Sequence, residues 1–130
     1  MKVIKMKRQV EMVTFEVKPN EVQLLANVME EAVNYFKSSF YQERPMALAA
    51  YFLGLAPMAE KRYEKDPWCK MKITISADAF RLMLRAIRSK MAKCVSPVNM
   101  MTWGKLFYSI RNQVDKSVWK RCEKLSYGNK

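Results

Sequence analysis

Two stretches of this chain change hydrophobic period in the same way. From Val13 to Val33, VTFEVKPNEVQLLANVMEEAV alternates apolar and polar residues, then repeats apolar ones every three or four positions. From Met71 to Met91, MKITISADAFRLMLRAIRSKM does the same. Alternation marks a half-buried strand, and the wider spacing marks an amphipathic helix. An offset of 58 residues lays Val13, Phe15 and Val17 on Met71, Ile73 and Ile75. It also lays Leu24, Leu25, Met29 and Val33 on Leu82, Met83, Ile87 and Met91. The polar positions do not match: Gln23, Asn27 and Glu30 fall on Arg81, Arg85 and Arg88.

The first strand is expected from Val10 to Lys18. The preceding KVIKMKR is compatible with an extension of it, a further strand or a basic arm. Asn20 is the expected N-cap of a first helix reaching about Phe40, with Val22, Leu25, Met29, Val33, Phe36 and Phe40 as its apolar stripe. Pro45 opens a second helix that turns Leu48, Phe52 and Leu55 inward. Gly54 and Pro57 are expected to bend or split it, because proline lacks a backbone donor and clashes one turn back. EKRYEKDP then reads as an exposed charged linker.

A second strand is expected from Cys69 to Ile75, followed by a Ser76 cap and a third helix from Ala77 to about Lys93. Phe80, Leu84, Ile87 and Met91 form its expected inner face. Ser96 and Pro97 signal a fourth helix carrying Trp103, Phe107, Ile110, Val114, Val118, Cys122 and Leu125 inward and ending near Tyr127–Gly128. The order is strand-helix-helix, twice, and Leu48 and Phe52 fall on Leu106 and Ile110. The expectation is a single domain over 1–130 of mostly helical α+β class. It has pseudo-repeated units, a small antiparallel sheet and about four helices. Strand-helix-helix units paired about a two-fold resemble the plan of ribbon-helix-helix DNA-binding proteins. The chain departs from that plan in lacking a short Gly-containing turn between the helices and in the length of its helices, so the resemblance is one of architecture.

Half of the 130 residues are apolar, enough for a hydrophobic core. The longest uncharged run, Met46 to Ala59, is too short to cross a bilayer and reads as a buried helix. No continuous apolar segment follows the first lysines, so no secretory signal is expected. Cys69, Cys94 and Cys122 are odd in number and widely spaced, which fits reduced thiols in a cytoplasmic protein. With no histidine, three glycines and no CxxC pair, neither a metal site, a phosphate loop nor a bound cofactor is expected. Glu30 and Glu31 are adjacent and point to different sides of a helix, so they do not form an acid–base pair. The chain is not expected to be an enzyme.

Net charge is +12. Residues 1–66 hold ten Lys/Arg against nine Asp/Glu; residues 67–130 hold fourteen against three. Any one lysine is ordinarily just solvated. A whole half nearly devoid of acids is not the mixed surface that solubility alone requires, and it creates a one-sided field for an acidic partner. Arg81, Arg85 and Arg88 recur at helical spacing, and guanidinium forks suit phosphate oxygens. Lys70 and Lys72 project from the second strand; Lys105, Lys116, Lys120 and Lys124 fall on the outer face of the fourth helix; Trp119 is placed to stack on a base if exposed. These residues define a small non-catalytic protein that binds nucleic acid, DNA or RNA, through phosphate contacts from its C-terminal half. The alternative is a phage- or plasmid-type interaction or inhibitor module that docks on an acidic protein or nucleoprotein complex through Met58, Met100 or Met101. A homodimer through the helix surface of the first half is compatible with either.

Overall fold

The computed structural model describes residues 11–35 and 43–114. It contains a β1 strand (Met12–Val17), α1 (Pro19–Tyr35), α2 (Glu43–Lys65), β2 (Met71–Ser76), α3 (Ala77–Lys93) and α4 (Pro97–Gln113). The architecture is mostly helical α+β, as the periodicities require.

The two strands pair antiparallel, with Phe15 opposite Ile73 at the centre. Those two residues are also equivalents in the 58-residue repeat, as Val13 and Met71 are, and Val17 and Ile75. A ladder that pairs Val13 with Ile75 and Val17 with Met71 therefore has a local two-fold axis at Phe15–Ile73. The same offset carries Pro19–Tyr35 onto 77–93, the bounds of α3.

One ribbon face carries the core. Val13, Phe15, Val17, Met71, Ile73 and Ile75 are buried, and the residues between them in β1 and β2 are exposed or half-buried. Phe15 meets Phe80 of α3 with ring centroids 5.6 Å apart, so the first strand packs on the second half's helix. The buried set continues through Val22, Leu25 and Met29 of α1 and their equivalents Phe80, Met83 and Ile87 of α3. Leu48 and Phe52 of α2 and their equivalents Leu106 and Ile110 of α4 are buried too, which extends the repeat into the second helices. All these residues form one cluster, and no polar or charged residue among those described is buried within it. Burying one such side chain contributes roughly 1.5–3 kcal/mol.

The helix starts use two different devices. At α3, the Ser76 hydroxyl accepts from Ala79 N at 3.1 Å, the expected cap. At α1 the expected Asn20 cap is not formed, because the helix already begins at Pro19. There the Glu21 carboxylate reaches back to accept from Lys18 N at 2.7 Å, the acidic half of a capping box.

Further boundaries and faces differ from expectation, beginning with α2, which starts at Glu43 and not at Pro45. β2 spans Met71–Ser76, two residues later than expected at its start and one later at its end, since its register follows β1. β1 spans Met12–Val17, and Val10 lies outside the described residues, as do Phe36 and Phe40. Pro57 neither splits α2 nor ends it: Glu43–Lys65 is one helix, with Pro57 and Leu53, one turn back, both on its exposed side. The residues read as a linker are the last turns of that helix. The chain turns instead at Asp66, whose carboxylate accepts from Trp68 N at 3.0 Å and whose carbonyl accepts from Cys69 N at 3.1 Å. α4 ends at Gln113, where Val114 takes an extended backbone with φ −103° and ψ 135°. The expected continuation toward Leu125 is therefore broken at Val114, and Val118, Cys122 and Leu125 lie outside the described residues. On α3 the buried residues are Phe80, Met83, Ala86 and Ile87, while the expected Leu84 and Met91 are only partly buried.

The end of α4 is fastened to β1. Gln113 Oε1 accepts from Glu16 N at 2.6 Å, and Gln113 Nε2 donates to Glu16 O at 2.7 Å. One side-chain amide thus serves both outward-facing backbone groups of an edge residue, as a neighbouring strand would.

Candidate nucleic-acid interface

The basic residues sort by the element that carries them. On α3, Arg85 and Arg88 are exposed and Arg81 is half-buried, its Nε sealed from solvent. At 3.6 residues per turn all three lie along one flank. Lys90 is about half a turn away from that flank and points to the other side of the bundle. Its Nζ lies 3.1 and 2.9 Å from the Glu31 carboxylate oxygens of α1. The helix thus spends one cation on holding α1 and presents two others outward.

Lys72 is on the outer face of the ribbon. Glu16 stands directly across the ladder from it, and Thr14 and Thr74 follow, with hydroxyls 2.8 Å apart. Opposite charges at paired positions offset one another. Within the strands the outer ribbon face thus holds one base against one acid, with Lys18 and Lys70 just beyond its end. Lys70 precedes β2 and is exposed; Lys105 is exposed on α4. Lys116, Trp119, Lys120 and Lys124 lie outside the described residues.

Trp103 is buried, as expected of a core residue. Trp68, which no motif singled out, is 74% exposed, and Lys18 Nζ lies 5.0 Å from its ring centroid. An exposed indole beside a cation suits stacking on a base. The available signal was its position just after Asp66–Pro67, a turn pair that places the next residue at the surface.

The charge division is sharper in the described residues than along the whole chain. The first half holds five Lys/Arg against nine Asp/Glu, and the second holds nine against Asp78 alone. Cys69 and Cys94 are free thiols. Among the described residues no cluster of His, Cys, Asp or Glu is arranged to hold a metal ion, and no helix is long and apolar enough to cross a membrane. Set against models of known protein families, curated proteins and solved structures, the chain matches none.

Proposed function

We propose that this protein is a non-catalytic nucleic-acid-binding protein whose second half contacts the phosphate backbone. The observation that carries the reading is the outward flank of α3, where Arg85 and Arg88 are exposed in a half with one acid among its described residues. Guanidinium groups one turn apart suit successive phosphate oxygens. Phosphate contacts position a protein without reading sequence, so little sequence preference and a steep salt dependence follow. Lys70 and Lys105 add charge to the same half, while Trp68 offers a stacking platform for an unpaired base.

The test is fluorescence anisotropy with labelled duplex DNA, single-stranded DNA and structured RNA over a salt series. Each phosphate contact to duplex DNA contributes about −0.9 to the slope of log affinity against log salt. Binding that ignores salt would overturn the proposal. Arg81 is left untouched in the variants, since its half-buried position would confuse binding with folding.

A second reading is supported by Val98, Met100 and Met101, which are exposed near the start of α4 on the helix that also bears Lys105. An apolar patch with a neighbouring cation fits an acidic protein or nucleoprotein surface. In that case Met100→Ala and Met101→Ala weaken capture of the partner more than added salt does.

A further inference from the structure

α2 is apolar on two opposite sides. Its inner side, with Leu48, Ala49, Phe52 and Ala59, is buried, and α2 packs along α1. The uncharged run from Met46 to Ala59 was expected to be a buried helix; its outer side is instead open. Met46, Tyr51, Leu53 and Met58 are 53%, 39%, 41% and 49% exposed.

This outer side places apolar residues at symmetric positions about Phe52. Met46 and Met58 are equidistant from it, and so are Ala47 and Pro57, Ala50 and Gly54, and Tyr51 and Leu53. All eight are exposed. Two copies of α2 laid antiparallel about a two-fold axis level with Phe52 set each member of a pair against the other. That is the condition for an isologous interface, in which one patch matches itself. The smallest pair, Ala50 and Gly54, then lies beside the axis, where the two backbones come closest.

Gly54 supports the same arrangement. A Cβ built there meets nothing within 4 Å, so the isolated chain has no packing need for glycine in the interior of a helix that glycine weakens. A second helix crossing at that point supplies the need. Between Met46 and Met58 the outer side carries no charge, as the core of a homodimer interface does.

The geometry points to a second copy of this chain as the occupant, with α2 forming a symmetric antiparallel dimer interface. The inference does not rest on nucleic-acid binding and is tested without nucleic acid. Sedimentation equilibrium of the full chain is measured from micromolar to near-millimolar concentration. The expected mass at the upper end is twice the 15.3 kDa of one chain. Gly54→Glu should hold one chain mass throughout while keeping the helical circular dichroism of the parent, because the site has room for a side chain in the monomer. If Gly54→Glu does not fold, Ala50→Glu is read in the same way. A parent that stays monomeric, its outer face covered by another part of the chain or kept for another protein, would overturn the inference. So would a folded glutamate variant that dimerises like the parent.

Discussion

α1 and α3 have the same length, start directly after equivalent strands and bury equivalent residues, yet they turn different surfaces outward. The outer flank of α1 carries Gln23, Asn27 and Glu30, with Gln23 donating to Asn27 at 3.0 Å. The outer flank of α3 carries Arg81, Arg85 and Arg88 at the equivalent positions. The inner residues are held in common because a two-fold ribbon imposes the same burial on both halves. Gln23, Asn27, Glu30, Arg85 and Arg88 are exposed, so the fold restrains them less than the inner residues, whereas Arg81 is half-buried. The second helices diverge further. α2 packs more extensively on α1 than α4 does on α3, and only α4 reaches back to the ribbon through Gln113.

The severest way to break this comparison is at the axis. Phe15→Ala should lose about 3–5 kcal/mol of stability by chemical denaturation, and both halves should unfold in one transition. The exchange Phe15→Ile with Ile73→Phe conserves volume across the axis and should cost under about 1.5 kcal/mol. A loss as large as that of Phe15→Ala would mean that the two sites are not equivalent.

The flanks come next. Arg85→Glu with Arg88→Glu should weaken duplex binding about a hundredfold, or about 2.8 kcal/mol, and flatten the salt slope by about two. Its mirror, Asn27→Arg with Glu30→Arg, should strengthen binding and steepen the slope by a similar amount. Unchanged binding in both variants would separate the arginine flank from function.

Smaller effects sharpen the contrast between helix starts. Ser76→Ala removes the cap of α3 and should cost about 1 kcal/mol in thermal or chemical unfolding. Glu21→Ala removes only the returning half of a capping box and should cost less. Smallest of all is Glu31→Gln. It breaks a half-exposed ion pair with Lys90, and its loss should be under about 1 kcal/mol and shrink further in salt.

Much of the core was legible because burial leaves a period. The alternation of Val13, Phe15 and Val17 and the spacing of Leu25 and Met29 held without correction, as did Ser76 and the bounds of α3. Features set by neighbours distant in sequence were not legible. Asn20 had the chemistry of a cap, but Pro19 opened the helix first and Glu21 served the free donor. Pro57 looked like a breaker, but the helix runs through it, with Pro57 on the exposed side. Met46–Ala59 looked buried because hydropathy counts residues and not the faces they occupy. Of the candidate site, the arginine flank followed from helical spacing. The neutralising position of Glu16 opposite Lys72 depended on strand register, and the exposure of Trp68 depended on how the turn is placed.

The ribbon also governs the order in which the molecule can assemble as it is made. The strand that pairs with Val13, Phe15 and Val17, Met71–Ser76, is synthesised more than fifty residues later. At about 5–20 residues per second, that interval is roughly 3–11 seconds. During it α1 and α2 can pack on each other, since they are adjacent in sequence, whereas β1 stays an apolar segment without its sheet. The Gln113 clasp forms later still. The nascent first half is thus a helical hairpin carrying a sticky tail, and its exposure to chaperones or to misassembly ends only when the second copy of the motif arrives.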